Sequence, residues 1–477
     1  MAGTDGGAPR RRARGAERDR RARGRRRPGR LDAPRHAALT VLGKVRAEGA
    51  YANLVLPGEL RRRGLAGRDA AFATELAYGA LRAEGLLDAV LAEVCDRPLD
   101  ALDPEVLDVL RLGAYQLLRT RVGAHAAVDT SVTAARIAAG EGAGGFVNAV
   151  LRRVAARDEE AWVARLAPDA GADPVGHLAF RHAHPRWVAE AFAQALGPEA
   201  GELAAALAAD DARPGVHLAA RPGEITAEEL ALATGGEVGP YSPYAVHLPA
   251  GDPGELDAVR ERLAQVQDEG SQLIARALSI APLAGADGGR WLDLCAGPGG
   301  KAALLGAIAA VDGAAVDAVE PAAHRAELVR RATTGLPVTV HEADGRDPGL
   351  DPGYDRVLVD APCSGLGALR RRPEARWRKR PADLPGLVRL QRELLAAAAR
   401  LVRPGGVIAY STCSPHLRET RAAVDRAVRD LGLVELDAAA AVAPMAGTGP
   451  GRAVQMWPHR HGTDAMFLAL LRRPLAE

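Results

Sequence analysis

The sequence predicts a multidomain chain: a basic N-terminal tail, an all-α bundle, a small α+β module and a C-terminal α/β domain built on a doubly wound parallel sheet. Three observations carry this reading. A length of 477 residues leaves room for roughly three domains at about 150 residues each. Apolar residues in the first third recur at helical spacing, with little strand-like alternation. From about residue 276 onward, short strand-like runs alternate with helical ones, the pattern of strand–helix–strand units. The hydrophobic share of 48% and charged share of 26% are those of a globular chain and exclude a wholly disordered one.

Residues 1–35 hold 13 Arg and four acids, a formal +9 that leaves −7 for the remainder of a chain whose total is +2. With almost no large apolar side chain, this Gly/Arg/Ala segment cannot offset its ordering entropy and is expected to be disordered. Its Arg runs suit RNA phosphates through counterion release. Over 36–157 the pattern is helical, with Val106, Val109, Leu110 and Leu117 on one face. Breaks at Gly64, Gly67, Pro98, Pro104 and Gly142 to Gly145 divide it into the helices of a bundle. Residues 158–175, with several acids and with Pro168 and Pro174, read as a linker. Residues 176–275 mix helical stretches (187–196, 203–209) with one β-like stretch (216–219), a small α+β module. In 276–477 the expected strands are 290–296, 315–320, 337–343, 354–360, 406–413 and 466–471.

Four cysteines without a CxxC pair exclude a disulfide framework and a thiolate zinc site, so a reducing cytoplasm is expected and no metal. No apolar run approaches the roughly 20 residues that span a bilayer, and no signal-peptide h-region opens the chain. No membrane association is expected. Lysine occurs only at Lys44, Lys301 and Lys379 among 62 basic residues, so each surviving lysine stands out in a chain biased toward Arg, Ala and Gly.

The first strand of the C-terminal domain runs into Asp293-Leu-Cys295-Ala296-Gly297-Pro298-Gly299-Gly300-Lys301 and then a helix. Glycines there let backbone approach a ligand where a strand becomes a helix N-terminus. Neither GxxxxGK[ST] nor GxGxxG is matched, which removes the phosphate-cradling loops. The next strand ends in Glu320, where a carboxylate can hold both hydroxyls of a ribose. One ribose and no phosphate cradle point to S-adenosyl-L-methionine, with Asp344, after the third strand, placed toward the adenine edge. Two further strand ends carry Asp360-Ala-Pro-Cys363-Ser and Ser411-Thr-Cys413-Ser, presenting two thiols and a carboxylate at one rim. Cys95, on a predicted helix, reads as core. Arg370 to Arg372, Arg376, Arg378, Lys379 and Arg380, with Trp377 interleaved, follow the Pro-Cys loop and are read as an RNA-contacting patch.

These motifs resemble those of the RNA (cytosine-5) methyltransferases of the Sun/Fmu/Nop2 superfamily. Residues 266–272 (Val-Gln-Asp-Glu-Gly-Ser-Gln) and His461-Gly-Thr-Asp464 are similar to further superfamily motifs. Residues 68–76 and 145–153 resemble the NusB-like domain carried by the branch that modifies 16S ribosomal RNA. The resemblance covers about 36–473. It implies a NusB-like helical RNA-binding domain, an RNA-binding α+β module and a Rossmann-like methyltransferase domain. It departs in two places: Glu320 stands where the family often has Asp, and Ala220-Arg-Pro222 where an Arg-x-Asn is common.

The resemblance makes Cys413 the nucleophile, adding to cytosine C6 so that C5 becomes reactive enough to take a methyl group. Cys363 then assists release of the product, and Asp360 partners N3 and the exocyclic amine as general acid. Lys301 or backbone N–H groups are expected to stabilise the thiolate, since a free thiol has a pKa of about 8.5. The cofactor-binding residues implied are Cys295, Ala296, Gly297, Pro298, Gly299, Gly300, Lys301, Glu320, Asp344 and Asp360. The substrate implied is 16S ribosomal RNA presenting an unstacked cytosine, with no obligate protein partner. Two other readings stand beside it. A DNA cytosine-5 methyltransferase would use Cys363 as nucleophile, and the second thiol at Cys413 argues against it. An RNA-binding protein with an inactive methyltransferase domain is opposed by the intact Lys301, Asp360, Cys363 and Cys413.

Overall fold

The computed structural model describes residues 31–249 and 251–475. The chain divides into two compact units that meet in sequence between Leu166 and Ala167. Most of the expected tail, residues 1–30, lies outside the described residues.

The described residues of the first unit form helices only: α1 (Ala33–Glu48), α2 (Ala52–Arg62), α3 (Gly67–Arg82), α4 (Glu84–Val94), α5 (Pro104–Arg119), α6 (Ala124–Ala139), α7 (Glu141–Val154) and α8 (Glu159–Leu166). Helix α1 begins before the expected boundary at 36 because Asp32 caps it, accepting from the Arg35 amide, with Pro34 in its first turn. Val106, Val109 and Leu110 of α5 are buried on one face as their spacing predicts, whereas Leu117 is only half-buried. Helix α8 corrects the linker expected at 158–175. Trp162 is 1% exposed and its indole N–H donates to the Val154 carbonyl at 3.1 Å. Arg119 grips the Glu159 carboxylate through Nε and Nη2. An acid-rich run reads as linker by composition, but one buried Trp anchors it to the bundle.

In the second unit, α9 (Pro174–Arg181), α10 (Arg186–Leu196) and α11 (Leu203–Asp211) do not share a core with the small sheet. Their apolar faces pack with Leu366, Leu369, Trp457 and Ala465 of the C-terminal domain. The small sheet is antiparallel, in the order β2 (Glu237–Val238), β3 (Ala245–Leu248), β1 (Val216–Ala220), β4 (Ala264–Val266), covered by α12 (Ala227–Thr234). Only β1 was legible in the sequence, because strands of two to four residues carry no periodicity. The expected boundary at 275/276 falls inside α13 (Glu269–Ile280), whose Leu273, Ile274, Ala277 and Leu278 belong to the C-terminal core.

The C-terminal sheet runs in the order β10 (Val434–Leu436), β12 (Phe467–Arg472), β9 (Val402–Thr412), β8 (Tyr354–Asp360), β5 (Arg290–Asp293), β6 (Ala315–Val319), β7 (Val338–His341), with β11 (Val454–Gln455) also on β12. Strands β5 to β9 are parallel, and β10, β11 and β12 pair antiparallel. The doubly wound parallel sheet expected from the sequence is present as β5 to β9, and β12, β10 and β11 add an antiparallel edge to it. From β5 the chain winds outward through β6 and β7 and returns on the other side at β8, so β5 and β8 flank the topological switch where open α/β sheets bind ligands. Helices α14 (Gly300–Asp312), α15 (Ala323–Ala332), α16 (Leu384–Leu401) and α17 (Arg421–Leu431) supply the covering layers. Six of the seven β8 residues are buried, as a central parallel strand requires.

Candidate active site

At the end of β5 the ladder continues one step past the strand on both sides. Leu294 donates to the Leu358 carbonyl and Ala296 to that of Val319, each at 2.9 Å. The chain then turns through Gly297, Pro298 and Gly299 into α14. A Cβ on Gly297 would stand 2.2 Å from Glu320 Oε2, and one on Gly299, at φ +113°, 2.9 Å from the Ala332 Cβ. Only glycine permits this approach of the turn to β6 and α15. Ala296 packs with Ala302, Ala318 and Val329 beneath it. Cys295 is half-buried; burial first, and then the Asp293 charge, push its thiol well up.

Asp293 is 1% exposed; its Oδ1 accepts from the Cys295 amide at 3.2 Å, and Oδ2 has no partner among the described residues. Burial and then the neighbouring Asp360 charge push it up to about 7. Glu320 is equally buried. Its Oε1 accepts from the Ala322 amide and from Arg325 Nε and Nη2, which leaves Oε2 toward the glycine turn. A close-approach turn, a carboxylate oxygen facing it and a buried orphan oxygen beside it suit S-adenosylmethionine, whose ribose hydroxyls and ammonium are donors. Asp344 stands apart. Its carboxylate is clasped by Arg346 through Nε and Nη2, and it lines a shallow depression with Asp347, Glu393, Ala396 and Arg400.

Lys301, in the first turn of α14, reaches across the switch point. Its Nζ lies 2.8 Å from Asp360 Oδ2 and 3.2 Å from Ser271 Oγ, while Ser411 Oγ donates to Asp360 Oδ1 at 2.9 Å. Burial opposes the ammonium charge, yet the Asp360 carboxylate outweighs it and the Lys301 pKa is raised. Asp360 therefore sits between two donors, one on each carboxylate oxygen.

The loops after β8 and β9 bring Cys363 Sγ to 3.4 Å from Cys413 Sγ. The Gly367 amide donates to the Cys413 carbonyl at 2.9 Å, tying loop to loop. The hydrogen bond to Cys413, burial and the Cys413 charge push Cys363 well up. That same hydrogen bond lowers Cys413; burial and Asp360 work against it, and Lys301 and Arg372 assist. Of the two thiols, Cys413, on the side of the cations, is thus the one that ionises first.

The basic cluster expected to meet RNA divides in two. Arg370 donates to Asp464 at 2.7 Å and to the Gly462 carbonyl, and Arg371 donates to Asp268 at 2.7 Å and to Asp464. Arg376 is fully buried against Asp210, Asp211 and the Ala183 carbonyl. These three are corrected from RNA contacts to structural cations: Arg370 and Arg371 tie the 266–272 and 461–464 motifs to the segment after the Pro-Cys loop, and Arg376 ties that segment to residues 183–211. Arg372 and Arg380 are exposed, and Trp377, Arg378 and Lys379 half-buried. Sequence reasoning also passed over Asp293, although it is a strand-end acid like the three singled out, and Glu419, which no motif marks.

Residues 280–472 match the family model described as 16S rRNA methyltransferase RsmB/F, and residues 32–156 match the NusB family. A methyltransferase-named protein of Mycobacterium tuberculosis (strain ATCC 25618 / H37Rv) is 63% identical over 450 residues, covering 94% of this chain and 98% of that one. The ribosomal RNA small subunit methyltransferase B of Pseudomonas putida is 34% identical over 451 residues, covering 92% of this chain and 98% of its own. The crystal structure of PH0851 superposes with a TM-score of 0.75 at 22% identity, over 92% of this chain and 99% of that chain, a likeness of fold. With such identity along nearly the whole length of its relatives, the chain belongs to the RsmB/F family and is an S-adenosylmethionine-dependent rRNA methyltransferase.

Proposed function

We propose that the chain methylates C5 of a specific cytosine in 16S ribosomal RNA, in the cytoplasm, through a covalent bond between Cys413 and C6. The observation that carries this is the thiol pair, 3.4 Å apart, beside the Lys301–Asp360 ion pair at the cofactor turn. S-adenosylmethionine, when bound along the glycine turn, supplies the methyl group. The Cys413 thiolate adds to C6, and the electron pair of the C5–C6 double bond makes C5 nucleophilic. Negative charge develops at N3, where Asp360 is in contact with Lys301 as a proton source. Once Cys413 is bonded to carbon its negative charge is gone, and with it a large part of what holds Cys363 protonated. The proton lent to N3 returns to the Asp360–Lys301 pair as C5 takes the methyl group; Cys363 then gives its own thiol proton to solvent and, as thiolate, takes the C5 proton, after which C6–Sγ cleavage restores the Cys413 thiolate and frees the methylated base.

The test separates the two thiols. Cys413→Ala should abolish methyl transfer and any covalent complex. Cys363→Ala should still add to the base and transfer the methyl but release product slowly, so a denaturation-resistant protein–RNA adduct should accumulate when cofactor and RNA are supplied. An adduct with Cys413→Ala and none with Cys363→Ala would move the nucleophile to the Pro-Cys loop. Bisulfite sequencing of ribosomal RNA with and without the gene reads base identity and position together.

A further inference from the structure

Each catalytic thiol is followed by a serine, Ser364 after Cys363 and Ser414 after Cys413, and both serines converge on one carboxylate. Glu419 lies in the loop between β9 and α17 and is fully buried. Its Oε1 accepts from the Ser364 amide at 2.8 Å and from Gln391 Nε2 at 3.2 Å. Its Oε2 accepts from Ser414 Oγ at 2.8 Å and from the Ser364 hydroxyl. The two hydroxyl oxygens are themselves 3.0 Å apart. The shell is closed around them: Gln391, from α16, also donates to the Pro362 carbonyl at 2.9 Å, and the Tyr410 hydroxyl donates to the Glu419 carbonyl at 2.7 Å. A buried carboxylate with four donors is held in one place, and it holds what binds it in one place.

We propose that Glu419 is the positioning residue of the thiol pair: by holding the residue after each cysteine, it fixes the separation of Cys363 and Cys413 and keeps a negative charge on the Cys363 side. The inference rests on reading these thiols as the covalent centre. The arrangement is asymmetric. The Glu419 charge adds to what keeps Cys363 protonated, whereas Lys301 and Arg372 face Cys413 and favour its thiolate, with Asp360 opposing them. The other titratable groups facing Glu419 are Tyr410 and His416, with Arg418 beyond His416. A carboxylate there makes the two thiols unequal before substrate arrives, and a covalent mechanism that uses one sulfur to attack and the other to release needs that inequality.

The experiment uses the full chain and follows iodoacetamide alkylation of each cysteine by mass spectrometry as a function of pH, without RNA. In the wild type, Cys413 should react at lower pH than Cys363. Glu419→Gln keeps shape and removes charge. It should draw the two profiles together, with Cys363 moving to lower pH, and should lower kcat by about 10-fold or more while the KM for RNA changes little. Ser364→Ala/Ser414→Ala, which keeps the charge but frees the loops, should lower kcat with a smaller change in the Cys363 profile. Glu419→Asp should recover part of the wild-type difference between the thiols. A folded Glu419→Gln protein with unchanged alkylation profiles and unchanged kcat overturns the proposal, and so does one that loses only thermal stability. Failure of the covalent reading is seen separately, as the absence of an RNA adduct with Cys363→Ala and wild-type Glu419.

Discussion

Two residues at the switch point tie the site to pH, and each gives a measurable sign. Lys301 helps lower Cys413, so Lys301→Met should shift the pH profile of Cys413 alkylation upward and slow the reaction at pH 7. An unchanged profile would remove Lys301 from thiolate stabilisation. Asp293 has a folded-state pKa of about 7, above its ordinary 3.8. A raised carboxylate binds its proton more tightly in the folded state, so its contribution to stability is present at low pH and is lost as pH rises toward 7. Asp293→Asn cannot acquire that buried charge. Its stability relative to wild type should therefore grow between about pH 4 and 7, by on the order of a few kcal/mol, and level off above. Urea unfolding at pH 5 and pH 8 without cofactor checks this; an equal difference at both pH values would contradict it.

At the scale of elements, the loop after Cys363 contrasts what buried and exposed arginines do. Arg376 has no exposed surface and answers Asp210 at 3.2 Å and Asp211 at 3.1 Å. Arg376→Ala leaves buried carboxylate without its cation, a change worth about 3–5 kcal/mol. It should lower the unfolding midpoint strongly, whereas Arg380→Ala, on an exposed side chain, should leave stability nearly unchanged. Equal stabilities for the two variants would refute the division of the cluster. The sequence could not reveal that division, because Arg370 meets Asp464 and Asp268 across separations of 94 and 102 residues. Contiguous features were legible: the turn from Asp293 to Lys301, the strand 354–360 to the residue, and the two Cys loops all lie within short runs tied to strand ends. What escaped depends on pairing. The antiparallel direction of β12, the short strands β2 and β4, the helix carrying Trp162 and the role of Glu419 are all set by pairing that local periodicity does not encode.

For the molecule as a whole, charge is divided along the chain. Residues 1–30 contain 12 Arg and three acids, while the chain from 36 onward carries a formal −7. RNA is a polyanion, so the part of the chain that holds the site gains little from its own net charge, and the N-terminal arginines are predicted to supply the long-range attraction. Their contribution is one of counterion release, with a slope of about −0.7 in log K against log salt per phosphate engaged on single strands. The structure also says where to cut. Asp32 caps α1 and Pro34 is buried in its first turn, so removal of residues 1–30 leaves the helix intact, whereas removal through 34 would not. The truncated protein should bind ribosomal RNA more weakly at 50 mM salt (roughly a Debye length beyond 10 Å), with a shallower salt dependence, and should converge on the full chain as salt approaches about 0.3 M. Turnover at saturating RNA should not change, because Lys301, Asp360, Cys363 and Cys413 all lie in the second unit. A large fall in saturated turnover would place the tail in the reaction itself and end its assignment as a sequence-independent RNA anchor.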